Sequence, residues 1–398
     1  MTDPITDIQP PRISLIALFL KFLRFGALAF GGPVAQIAMV RHALVEEERW
    51  ITPGRFNRLL AVLQILPGPE AHELCVHLGM MARGRMGGLL AGLGFMLPGL
   101  ALMMVAGWLY VGWIAGNAGL AGVLLGVQIV VLAIILRAVV RIGQHIIEDR
   151  TLAVIAVVAL VATLANVPFW VILIAGGAAY ALANRPVIAA LLLIVPVIGA
   201  GMIGHVAGEA ETAAQMVAAA PATVAMLFIA GLKGGLLTFG GAYTAIPYVR
   251  ADTVGRGWIS DSAFLDGIAL AGILPAPLVI FATFVGYVAG GPIGALAVTA
   301  GMFLPAFAFS MIFFERLEAV VENPALHRML TGVAAAVVGI IAATFVQLAQ
   351  ATGARVDRPV FAMLLFLVAL VVAWRVKGAW VTPAIVAGGA LAGWVIAP

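Results

Sequence analysis

Long apolar runs, interrupted only by short charged or Gly/Pro-containing stretches, fill this chain from Ile13 to Ala397. A segment that crosses hydrocarbon needs roughly 20 apolar residues. Runs of that kind lie at 13–40, 58–81, 86–113, 119–140, 151–165, 167–183, 187–205, 222–249, 263–288, 291–314, 328–350, 359–375 and 379–397. The sequence therefore predicts an all-α, polytopic membrane protein with about thirteen transmembrane helices. The runs 151–165 and 167–183 are short and share a tight turn at Asn166–Val167–Pro168. Composition closes the soluble alternative. Hydrophobic residues make up 63% of the 398 residues and charged ones 10%, whereas a soluble domain carries about 25% charged residues. A larger soluble core would need a charged shell that this chain lacks.

The net charge of +4 comes from basic residues in short clusters between the runs. That is how the positive-inside rule orients membrane proteins, so nucleic acid is not an expected partner. With the N-terminus in the cytoplasm and every run crossing, most Lys and Arg fall inside, including Arg83, Arg85, Arg137, Arg141 and Arg150. Arg41, Arg49, Arg55 and Arg58 are the misfit, because they fall outside. A first segment that turned back at Gly31-Gly32-Pro33 would keep them inside. It would also reverse every later run and move the Arg137–Arg150 cluster out, so a crossing first segment is expected. Residues 1–12 lack the basic region and cleavage site of a secretory signal, and neither end carries a lipidation signal. The expected home is a bacterial inner membrane. The lone Cys75 allows no disulfide framework and no thiolate cluster, and no cofactor is expected.

The chain repeats itself. Arg24 precedes Phe30-Gly31-Gly32-Pro33 at the spacing by which Lys233 precedes Phe239-Gly240-Gly241-Ala242. Then follow, in matched order, Arg41 and Arg250, Trp50-Ile51 and Trp258-Ile259, Phe56 and Phe264. Leu66-Pro67-Gly68-Pro69 matches Leu274-Pro275-Ala276-Pro277, and Leu97-Pro98 matches Leu304-Pro305. The expected units are a tail 1–12, a first repeat 13–142, linking helices 143–220, a second repeat 221–350 and C-terminal helices 351–398. An odd number of predicted spans separates the two openings. The repeats should then have inverted topology, a recurring architecture of secondary transporters.

Each repeat contains two helix breaks. Gly-Gly weakens a helix and lets backbone or ligand approach closely, and prolines at i and i+2 prevent a continuous one. Freed backbone groups in hydrocarbon must face protein, water or substrate. Half-helix N-termini there attract anions. Arg24 and Lys233 lie inside apolar runs at matched places, where a charge faces a cavity or a partner; snorkelling is the alternative for both. These residues and the breaks, namely Phe30, Gly31, Gly32, Pro33, Pro67, Gly68, Pro69, Phe239, Gly240, Gly241, Pro275 and Pro277, are the expected small-anion site. Glu70 opens the helix after Pro69, as a favourable N-terminal carboxylate or as a proton acceptor. Glu73 and His77 are spaced to pair at i,i+4. No metal-ligand cluster and no Walker, Ser-His-Asp or dinucleotide fingerprint is present, so the chain is not expected to be an enzyme. Trp50 and Trp258 read as interfacial belt residues. Arg41 and Arg250 read as loop anchors or as guides for anions.

At these motifs the sequence resembles the chromate ion transporter family in its long, two-domain form. The resemblance rests on Phe30-Gly31-Gly32-Pro33, the Arg41–Trp50 stretch, Leu66-Pro67-Gly68-Pro69 and their second-half counterparts. It implies a bacterial inner-membrane antiporter that exports chromate, driven by protons, and leaves the assembly open to a homodimer. The sequence departs from the common pattern at Ala242, at Ala276 and at Glu70-Ala71-His72-Glu73. Sulfate shares the shape and charge of chromate and is the alternative substrate. A membrane enzyme or scaffold, and a cation or amino-acid transporter using Glu70, Glu73 and Asp266, are the other readings.

Overall fold

The computed structural model describes residues 10–11, 13–30, 32–63, 68–199, 221–238, 242–313, 324–376, 378 and 380–396. Helices form α1 (Leu15–Ala27), α2 (Gly32–Arg41), α3 (Pro53–Leu63), α4 (Glu70–Leu109), α5 (Ala121–Ile146), α6 (Arg150–Leu164) and α7 (Phe169–Ala181). They continue with α8 (Pro186–Gly199), α9 (Val224–Leu236), α10 (Ile246–Thr253), α11 (Asp261–Ile273) and α12 (Phe281–Ala308). The last three are α13 (Pro324–Gly353), α14 (Pro359–Arg375) and α15 (Val381–Ile396). No strand occurs among the described residues. The all-α expectation therefore holds. Among the described residues four helices are long and apolar enough to cross a membrane: Glu70–Ile114, Ala121–Ile146, Leu278–Ile312 and Arg328–Gly353. Six shorter apolar helices accompany them. Trp113, Val157, Ile174, Val187, Val360 and Leu391 are exposed on the outside, as side chains facing lipid would be.

Two of the long helices are hinged hairpins. In α4 the backbone leaves the helix at Arg83 (φ −145°, ψ 29°) and Gly84 (φ 62°, ψ −159°). In α12 it does so at Gly290 (φ −149°, ψ 22°) and Gly291 (φ 64°, ψ −161°). The positive φ suits glycine, which has no Cβ to clash. Each hinge folds a short arm back on a long one. A Cβ at Gly79 would overlap the Gly87 carbonyl, and one at Gly286 would meet the Gly294 carbonyl and Ala295. Small residues let the two backbones touch, as in membrane helix pairs generally.

The predicted spans 13–40 and 58–81 also double back. Phe22 stacks edge-on against Trp50, with ring centroids 6.4 Å apart, and Lys21 lies over the same indole. Had the chain run straight on past the break, residues 32–47 alone would have carried Trp50 roughly 20 Å further away. Near the second break, His77 in α4 lies within electrostatic reach of Arg55 at the start of α3, so α3 and the short arm are side by side. These turns and the helices around them form a core of their own, with Leu18, Phe22, Trp50, Phe56, Cys75 and Phe95 fully buried. Trp50 is thus a core residue, not the expected belt residue: its Nε1 donates to Glu48 at 2.9 Å.

Candidate functional site

The helix breaks meet. Gly68, in the first Pro-x-Pro break, donates its N–H to the carbonyl of Thr238, beside the second Phe-Gly-Gly, at 2.8 Å. In reciprocal fashion Gln36, one turn past the first Phe-Gly-Gly, donates Nε2 to Ala276 O in the second Pro-x-Pro break at 2.9 Å. Gln36 also bonds Ala29 O at 2.9 Å. Each repeat's first break is therefore tied to the other repeat's second break. The two prolines and the Gly-Gly pairs make this possible, because they free N–H and C=O groups from helical bonding. Around the junction α2 begins at Gly32, α4 at Glu70 and the 3-10 turns Ala242–Ala245 and Leu278–Ile280 begin as well. Unpaired N–H groups at such starts favour a negative charge.

Of the predicted site residues, Gly32, Pro33, Gly68, Pro69, Pro275 and Pro277 flank this junction. Phe30, just before the first break, is 40% exposed. Gly31, Pro67, Phe239, Gly240 and Gly241 lie outside the described residues. Gly68 has φ 149° and sits against the Glu73 carboxylate. Glu70 is buried, and Glu73 is fully buried with neither oxygen hydrogen-bonded among the described residues. The expected Glu73–His77 pair does not form, because the Glu73 carboxylate turns towards Gly68. His72 is buried between the rings of Phe303 and Phe307, at 4.9 and 4.8 Å.

The cations divide. Lys233 is bound to Asp252 at 3.0 Å, with Arg256 on the same carboxylate at 3.4 Å. Arg24 is exposed and has no ion pair among the described residues. Arg250 forks onto Asp261 with Nε at 2.7 Å and Nη2 at 3.1 Å, and Nη1 donates to Gln347 at 2.8 Å. It fastens α10 to α11 and α13, which is the anchoring reading. Arg41 lies 3.6 Å from Glu46. Trp258 is half-buried beneath Arg256. Sequence reasoning missed Gln36 and Thr238. A lone amide within an apolar run one turn past Gly32 was the available signal for Gln36; nothing marked Thr238.

The family model described as chromate transporter matches residues 16–182 and 225–394. The chain belongs to the chromate transporter family. A chromate transport protein of Pseudomonas aeruginosa is 55% identical over 401 residues, covering 100% of this chain and 96% of that protein. One of Cupriavidus metallidurans is 30% identical, covering 98% and 94%. An uncharacterised transporter of Methanocaldococcus jannaschii is 26% identical, covering 91% and 90%. No solved structure gives a significant match. The two matched stretches contain the helices that carry the breaks, and this member of the chromate transporter family is a multi-pass membrane protein.

Proposed function

We propose that the chain is a secondary active transporter that exports chromate across a bacterial inner membrane by exchange with protons. The observation that carries this is the reciprocal tie between the breaks, Gly68 to Thr238 and Gln36 to Ala276. Matched breaks that converge are where secondary transporters bind their cargo. Exposed Arg24 supplies a cation near the first break, and Lys233 is its counterpart. The Glu70–Glu73 pair supports proton coupling, since the cost of burying an unpaired carboxylate falls away when it carries a proton; Glu70 is the carrier we favour. Export of a dianion is already favoured by an inside-negative potential, by roughly 2.3 kcal/mol per charge per 100 mV.

Contacts between α4 and α12 support inverted repeats. Gly107, near the far end of the α4 long arm, packs on Tyr287 near the second hinge, while Gly92, near the first hinge, packs on Phe307 at the far end of α12. On that reading one face carries Arg41, Arg49, Arg55, Arg83, Arg85, Arg141 and Arg150, and the other Arg250, Arg256, Arg355 and Arg358. The first face is then cytoplasmic. The feared displacement of the Arg137–Arg150 cluster disappears, because two doubled-back segments leave α5 running the same way as two crossing ones. Repeats at 13–142 and 221–350 fit this arrangement.

The test is flux of radiolabelled chromate and sulfate in proteoliposomes, with and without an imposed pH gradient. Chromate movement that follows the gradient and is barely competed by sulfate is expected. Equal competition by sulfate would replace the substrate, and no flux of either ion from folded protein would refute the reading.

A further inference from the structure

A second polar centre lies away from the break junction. Asp266, in α11, is 3% exposed, yet it lines a cavity of about 430 Å³ together with Tyr110, Gln128, Trp258, Ser262 and Arg355. Tyr110 donates its hydroxyl to Asp266 Oδ2 at 2.9 Å, and Gln128 donates Nε2 to Oδ1 at 2.9 Å. Arg355 does not touch the carboxylate. Its Nη2 binds Gln128 Oε1 at 2.7 Å, which fixes the amide with its NH₂ towards Asp266. The acidic or basic groups facing Asp266 are Tyr110, beyond α4, and Arg355, beyond α13. Of the other helices packed on α11, α5 carries Arg137, Arg141 and His145 only more than two turns beyond Gln128, α12 contains only Tyr287, which lies on Gly107, and α15 has no titratable side chain.

A carboxylate that merely ties three elements together has no use for a cavity. A guanidinium held one hydrogen bond away favours the anion without locking the charge in place, as a direct pair would. This arrangement satisfies both protonation states. The anion accepts from Tyr110 and Gln128. The acid can turn its Oδ2–H towards the Tyr110 oxygen, because a phenol both donates and accepts, while Oδ1 keeps the Gln128 bond. A proton arriving from cavity water is held at Oδ2 and returns to cavity water.

We infer that Asp266 is a proton-exchange site opening through this cavity, with Tyr110 and Gln128 as its positioning residues. It serves the second repeat, on the opposite side of the break junction from Glu70. α11 links the two places directly: it runs from the cavity to Pro275-Ala276-Pro277, where Gln36 holds Ala276. The inference rests on the proton-coupled reading above.

Purified protein in proteoliposomes is assayed for chromate–chromate exchange without a gradient and, with a trapped pH dye, for protons moved during net chromate flux. Exchange and coupled proton movement in the unaltered protein test the transport reading by themselves. In Asp266→Asn, exchange is expected within about two-fold of the unaltered protein and proton movement per chromate at least about ten-fold lower. Undiminished proton movement in Asp266→Asn overturns the inference, as does loss of exchange from folded protein, which marks a structural tie. A second measurement needs no variant. A hydrophobic carbodiimide, which modifies carboxyl groups that hold a proton within apolar surroundings, is expected to label Asp266 in the unaltered protein, read by peptide mass mapping. Absence of label at Asp266 when Glu70 or Glu73 is labelled overturns it.

Discussion

Lys233 and Arg24 hold matched places, yet among the described residues only Lys233 has an acid beside it. The residue that corresponds to Asp252, counted from the second glycine of each break, is Ala43. The Lys233–Asp252 pair is partly exposed, Lys233 at 38%, so it contributes no more than about 1 kcal/mol, and Arg256 remains on Asp252 if Lys233 is removed. Lys233→Met should therefore leave the melting temperature within about 2 °C while chromate flux falls; a full loss of stability with it would assign Lys233 to the fold. Gly68→Ala is the opposite case. At φ 149° an alanine is strained, and its Cβ would push into the Glu73 carboxylate. It should cost about 1–3 kcal/mol and lower the melting temperature in detergent, whereas Gly54→Ala, where nothing lies within 4 Å, should be neutral. The glycines and prolines at the breaks were legible in the sequence because backbone chemistry announces itself in residue type. The tryptophans were not: indole suits a membrane interface and a core equally well, and only the contact with Phe22 decides for Trp50.

Each short arm lies against its long arm through glycine pairs, Gly79 with Gly87 and Gly286 with Gly294. Backbone contact of this kind leaves no room for a side chain. Gly79→Val or Gly286→Val should force the arms apart at a cost on the order of 3 kcal/mol, with similar effects in the two repeats because the hinges share their geometry. The yield of folded protein on size exclusion checks this, with Gly112→Ala, which meets open space, as the unaffected control. Helix existence and breaks were visible in the sequence, since apolar runs and Gly/Pro punctuation are local properties. Helix direction was not. An apolar run interrupted by Gly31-Gly32-Pro33 looks the same whether the chain continues or returns. The return is set by contacts distant in sequence, such as Lys21 with Glu48 and Phe22 with Trp50. Asp266 shows the same limit: the sequence offers it only as an acid for a cation or amino-acid transporter, and Tyr110, Gln128 and Arg355, which give it a setting, come from three other parts of the chain.

At the scale of the molecule the proposed inversion would make the two repeats face opposite sides, and the proposed export depends on that orientation. The chain has one cysteine, Cys75, fully buried, so a Cys75→Ser background accepts single reporter cysteines with little interference. Met86 and Ile293 lie just past the two hinges at matched places, 55% and 64% exposed. If the repeats are inverted, these two positions lie on opposite faces of the membrane. The arginines beside the first hinge, Arg83 and Arg85, then make the Met86 face cytoplasmic. A membrane-impermeant maleimide should label Met86→Cys only in inside-out vesicles and Ile293→Cys only in right-side-out ones. Labelling of both from one side would mean a parallel duplication, in which the break contacts Gly68–Thr238 and Gln36–Ala276 lose their pseudo-two-fold meaning. Opposite-sided labelling in the reversed sense would keep the inverted pair but place Asp266 and its cavity on the cytoplasmic face. Proton entry from outside would then have to begin near Glu70 and not at Asp266.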